Sequence, residues 1–112
     1  MTKIVYAPFP YLDKDNSKNR PLLVLAENEN LKYPTVIVAY ITTQKNEQPL
    51  ETDFILDQTN KFFKETGLQK DSVIRLHKLG CIQKSSIKWE IGTLPSSATL
   101  EIKSKLKKLF NL

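Results

Sequence analysis

Two unbroken apolar runs, residues 22–26 (LLVLA) and 36–41 (VIVAYI), limit what this chain can become more than any other feature. Both are too short to be helices in their own right and are rich in aliphatic or β-branched residues. Pro21 stands directly before the first and Pro34 just ahead of the second. Such runs, entered through prolines, read as central strands. At the mouth of the first, Arg20 precedes Pro21, which restricts the arginine to extended backbone and so presets its direction.

The other elements fall around these two. Residues 4–7 (IVYA) open a strand that Pro8 and Pro10 close, and the polar stretch 13–19 is expected to be a mobile loop. Residues 52–56 form a further strand candidate, and 60–67 a short helical turn stopped at Gly67. Residues 72–77 alternate, which puts Ile74 and Leu76 on one face and Arg75 and His77 on the other. Gly80 and Gly92 suggest the bends or bulges that a small curved barrel needs. After Pro95-Ser96-Ser97, a natural N-cap region, Ala98, Ile102, Leu106, Leu109 and Phe110 recur at helical spacing, with Lys105 inside the apolar arc and Leu100 outside it. Several short strands and one closing helix predict an α+β, mostly-β fold: a small bent barrel or sandwich with the C-terminal helix packed on it.

Composition narrows the class. The chain of 112 residues reads as a single domain over 1–112, long enough to bury roughly 60–70% of its unfolded surface without staples. One cysteine, Cys81, and one histidine, His77, allow neither an intrachain disulfide nor a four-ligand Cys/His zinc site. No apolar run resembles a signal-peptide core or reaches the roughly 18 residues of a membrane span, so a cytoplasmic protein without membrane contact is expected. Seventeen Lys and Arg against twelve Asp and Glu give a net charge of +5, which favours polyanionic partners.

Five stretches then carry a resemblance: "PFPY" with "KNRPLLVL" (8–25), "VIVAYITTQ" (36–44), "GLQKDSVIRLHKLGCIQKSSIKWEIGTL" (67–94) and the Lys/Leu-rich helix. In this order and spacing they resemble the MazF/PemK family of type II toxin–antitoxin endoribonucleases. The resemblance implies an SH3-like barrel with a C-terminal helix, forming a homodimer whose RNA groove crosses the interface. It also implies cleavage of single-stranded RNA without metal or other cofactor, inhibition of translation and growth, and a cognate antitoxin that blocks the groove. One departure is plain: the family's Gly-Asp-apolar-apolar opening is replaced by Met1-Thr2-Lys3-Ile4, which leads one to expect a rearranged or shortened start.

Metal-free RNA cleavage uses the substrate's 2′-hydroxyl as nucleophile on the adjacent phosphorus, so the protein supplies proton transfer and a cationic clamp. No protein nucleophile is needed. Arg20, matching the arginine of the family's K-x-R-P motif, forks two donors onto phosphate oxygens. Thr42, matching the threonine of its I-T-x-Q motif, offers a hydroxyl to the same phosphate. At "VIRLHKL" the PemK branch carries an arginine and an aspartate; here they are Arg75 and His77. An imidazole is well poised for acid–base work at neutral pH, and Arg75 beside it is a phosphate-holding candidate. Arg20, Thr42 and His77 are thus the catalytic candidates. Arg75, Lys18, Thr43, Gln44 and Tyr11 are the RNA-binding ones, with Tyr11 and the polar loop fitting either a gate to the groove or a plain hairpin connection.

Each candidate also has a plainer reading. Arg20 fits a surface ion pair at a strand edge, Thr42 and Thr43 fit ordinary β-branched strand positions, and Arg75 and His77 fit structural or exposed strand roles. Trp89 is expected as core or dimer-interface filling before a base-stacking platform, and Lys103, Lys107 and Lys108 as a solvated helix face. Two rival functions share the barrel: a non-catalytic toxin binding a protein target such as gyrase, and a silent RNA-binding paralogue.

Overall fold

The runs at 22–26 and 36–41 lie within the two middle strands of one antiparallel sheet. The structure, a computed structural model, describes residues 2–9, 18–30, 32–43 and 49–112. Its strands are β1 (Lys3–Pro8), β2 (Asn19–Asn28), β3 (Thr35–Thr42), β4 (Asp53–Leu56), β5 (Ser72–Gln83) and β6 (Trp89–Thr93), ordered β4-β5-β3-β2-β1-β6. A 3₁₀ turn, Phe63–Thr66, lies between β4 and β5, and helix α1 (Ser96–Leu109) closes the chain.

Both faces of the sheet are covered, which is why the middle strands are continuously apolar rather than alternating. Ile4, Leu23, Ala39, Ile41, Ile74 and Leu76 pack on one face with Ala98 and Ile102 of α1. Val5, Ala7, Phe9, Leu22, Val24, Val36, Val38 and Ile82 form a second cluster on the other. Leu22 and Leu23 therefore belong to different cores, as the period of two requires. Asp53 was read into a strand and lies in one; Ile74 and Leu76 share the helix-side face as expected.

The sheet curls until its opposite ends nearly meet. Register shifts at Ile4/Val5, Val24/Ala26 and Ala39/Tyr40 bend it, and the 3₁₀ turn after β4 packs against β6. The backbones touch there. A Cβ on Gly92 would lie 2.2 Å from the Thr66 carbonyl, and one on Gly67, whose φ is 72°, would lie 1.9 Å from the Ile91 oxygen. Gly67 also caps the turn in the left-handed conformation, as its sequence position suggests.

The imperfect stripe of α1 has a local cause. Lys105 sits half-buried in the apolar arc and sends its ammonium to the Glu51 carbonyl at 3.0 Å, its stem covering apolar surface. Lys108 pairs with the Glu51 carboxylate. No side chain caps the helix; the Pro95 carbonyl accepts from the N–H groups of Ala98 and Thr99. Among the described residues no helix is long and apolar enough to cross a membrane.

Several expectations shift. β2 starts at Asn19, so Arg20 and Pro21 lie inside the strand rather than before it. This is tolerated because the pairing of β2 with β3 stops at Leu22–Tyr40, one residue short of the proline that has no N–H to give. β5 runs on to Gln83, well past the alternation at 72–77. The first strand forms without the Gly-Asp opening: β1 runs from Lys3 to Pro8 and pairs with both β2 and β6. Trp89 is not core: it is 55% exposed on an edge strand, edge-on to Tyr6 at 5.4 Å between ring centres. Phe110 lies beyond the last turn of α1 and is exposed.

Candidate active site

Strand register gathers the candidate residues onto one face. Leu22 pairs with Tyr40, Tyr40 with Arg75, and Arg75 with Asp53, which makes a row across β2, β3, β5 and β4. Directly paired residues share a face. Two residues along, Thr42 pairs with Val73 and Val73 with Ile55; Arg20 and Thr42 each lie two residues past Leu22–Tyr40, the last β2–β3 pair, and so on the same face. Arg20 and Thr42 are both half-buried at this rim, flanked by exposed Lys18 before β2 and exposed Thr43 after β3. Tyr11 and Gln44 lie outside the described residues.

Arg75 and His77 follow on the same side of β5 and part in environment. Arg75 has 4% of its side chain exposed, with Nη1 2.6 Å from Oδ2 of the equally buried Asp53. Its guanidinium is engaged inside the protein, unlike the phosphate-facing position anticipated from sequence. His77 keeps 29% of its side chain exposed and turns Nδ1 toward Asp53 Oδ1 at 3.9 Å. It falls in the stretch of β5 between Arg75, opposite Tyr40, and Leu79, opposite Ala39, where the register with β3 slips. The slip frees this part of β5 from the β3 ladder and lets an imidazole stand at the surface beside a buried ion pair.

The electrostatics favour a neutral imidazole. Partial burial lowers the His77 pKa from its usual value, the Arg75 charge lowers it further, Asp53 raises it, and Lys78 lowers it again. The lowering contributions win, so His77 is a base rather than an acid at neutral pH. Lys78 lies over the Tyr40 ring at 5.7 Å, adding a cation beside the row. Among the described residues no group of three or more His, Cys, Asp or Glu side chains is placed to hold a metal ion.

Asp53 is the member that sequence reasoning missed. Nothing local marks it, since it meets Arg75 across 22 positions of sequence and only through the β4–β5 register. An acid inside a strand otherwise made of Phe54, Ile55 and Leu56 was the available signal, because a buried carboxylate demands a partner.

The chain and its fold are similar to known proteins. A family model described as the PemK-like, MazF-like toxin of type II toxin–antitoxin systems matches residues 2–110. The endoribonuclease MazF of Staphylococcus epidermidis is 32% identical over 88 residues, covering 78% of this chain and 69% of that protein. Among solved structures, the Mycobacterium tuberculosis toxin MazF-mt6 superposes with a TM-score of 0.73 at 25% identity, covering 98% of this chain and 97% of that one. A mycobacterial endoribonuclease solved with its cognate antitoxin gives a TM-score of 0.72 at 14% identity over 98% of this chain and 92% of the other, a likeness of fold. With its family model matched almost end to end and the curled sheet and closing helix of those structures, this chain belongs to the PemK-like, MazF-like toxins of type II toxin–antitoxin systems.

Proposed function

We propose that this toxin is an endoribonuclease that cuts single-stranded RNA without a metal, in the cytoplasm, as a homodimer held silent by a cognate antitoxin. The observation that carries the reading is that Arg20 and Thr42, each two residues past the last β2–β3 pair, are both half-buried on the face where His77 stands exposed. The family, the endoribonuclease relative and the antitoxin complex of similar fold support it. The net charge of +5 suits a phosphate backbone.

In this scheme neutral His77 takes the proton of the RNA 2′-hydroxyl, and the oxygen attacks the adjacent phosphorus. The bond from phosphorus to the 5′-oxygen breaks, and that oxygen leaves as a hydroxyl after taking a proton from solvent water. Arg20 forks onto the two equatorial oxygens where negative charge builds, and the Thr42 hydroxyl donates to one of them. Lys18 and Thr43, exposed on either side, bind the neighbouring backbone.

Incubating the purified protein with a long mixed-sequence RNA in EDTA tests this. Cleavage should persist and leave 2′,3′-cyclic phosphate and 5′-hydroxyl ends. No cleavage of any such RNA would favour a protein-binding barrel or a silent paralogue instead. The pH profile tests the base. Because the His77 pKa is lowered, the rate should hold as pH falls through about 6.5, the ordinary imidazole value, and decline only below it. His77→Gln should abolish that acid limb. A limb unchanged in the variant would assign the proton transfer elsewhere.

A further inference from the structure

We propose that Asp53 is the positioning residue of this site: its carboxylate grips Arg75 with one oxygen and, with the other, orients His77 so that Nδ1 faces inward and Nε2 faces the RNA. The inference rests on the reading of His77 as the base.

The carboxylate is fixed before the imidazole meets it. Oδ2 accepts from Arg75 Nη1 at 2.6 Å and from the Leu50 backbone N–H at 2.8 Å, and the strand itself is paired to β5 through Asp53–Arg75 and Phe54–Ile74. Oδ1 is buried and accepts no hydrogen bond among the described residues. His77 Nδ1 lies 3.9 Å from that oxygen. A buried carboxylate oxygen without a donor calls for one, and the imidazole is the group placed to supply it. The gap is longer than a hydrogen bond, as catalytic contacts often are before substrate binds and tightens them.

One donor at Nδ1 settles the chemistry at the other nitrogen. With the proton held on Nδ1, Nε2 keeps its lone pair and becomes the base. When Nε2 takes the 2′-hydroxyl proton, the imidazolium formed faces a carboxylate whose position needs no rearrangement. Arg75 moderates the pair. It holds the Asp53 carboxylate through Nη1 while its own charge lowers the His77 pKa, so the base stays neutral until it is used. The charged groups facing His77 are then Arg75 and Lys78 on its own strand and Asp53 on β4, while Glu51 is turned to Lys108 on α1.

His77 is the sole histidine of the chain, so a nitrogen-15 spectrum reports its tautomer and pKa without overlap. Two variants of the full chain are needed, because Asp53→Asn leaves Arg75 as a buried cation and can fail to fold, whereas Asp53→Asn combined with Arg75→Gln removes both charges and keeps a hydrogen-bonding pair. In the wild type the neutral imidazole should carry its proton on Nδ1. In both variants the proton should move toward Nε2, and kcat should fall by about tenfold to a hundredfold, part of the full worth of proton-transfer catalysis, with KM little changed. The pKa of His77 should fall in the single variant, which loses only the raising charge, and rise in the double variant, which also loses the stronger lowering one. An unchanged tautomer and pKa in the folded double variant would overturn the proposal. If the tautomer moves as expected while kcat stays constant and His77→Gln is equally silent, the reading of His77 as the base is what fails.

Discussion

Arg20→Ala should lower RNA cleavage by about 10²–10³-fold while the protein stays folded, the loss typical of removing one preorganised charge donor from a developing oxyanion. The two halves of this expectation come from different parts of the residue's setting. Arg20 is half-buried near the start of β2 and carries no core side chain, whereas Leu22 and Leu23, fully buried just beyond it, do. Alanine keeps the extended backbone that Pro21 imposes, so the strand and both cores survive. What goes is the forked guanidinium on the face that Thr42 shares. Arg20→Lys should recover only part of the rate, because an ammonium supplies the charge without the fork. Initial rates on a single-stranded substrate, set beside a thermal melt, separate the effects. An unaltered rate in a folded Arg20→Ala protein would make the arginine structural.

Gly92→Ala should be severely damaging, destabilising the fold by about 3 kcal/mol or more, the upper end of overpacking. The added methyl would lie 2.2 Å from the Thr66 carbonyl carbon and oxygen and 2.5 Å from the Glu65 oxygen, all of them backbone. The turn cannot easily retreat. Thr66 is fully buried, its hydroxyl donates to the Phe63 carbonyl at 2.6 Å, and it accepts the Leu68 N–H at 3.2 Å. For a domain of this size such a loss lowers the melting temperature by more than about 10 °C. Gly80→Ala is the control, since its methyl meets the edge of the Phe9 ring at 2.9 Å, a side chain able to shift. Equal melting temperatures for the two variants would show that the curled sheet is not held at Gly92.

These predictions draw unequally on what could be read without coordinates. The middle strands were legible because burial on both faces leaves a continuous apolar run, and the turn at 63–66 because Gly67 follows it. Alternation correctly put Arg75 and His77 on one face of β5. It could not say that one would be buried and the other exposed, because that division depends on Asp53, an acid 22 positions away brought in by strand pairing. Trp89 shows the same limit: its size suggests a core or a dimer interface, and only its place on the outermost strand, which leaves it 55% exposed, removes the first. The family motif named Arg20 and Thr42 separately. That both fall on one face is a matter of register between β2 and β3, which local sequence does not fix.

The pairing of Lys3 with Thr93 bears on when this toxin becomes dangerous to the cell that makes it. The first strand leaves the ribosome early, yet its outer neighbour is β6, and the core beneath it is completed by Ala98 and Ile102 of the closing helix. Contacts so distant in sequence form slowly and late. A nascent chain therefore holds Arg20, Thr42 and His77 long before it can hold them in register. The interval between synthesis and closure of the sheet is thus built into the order of the strands.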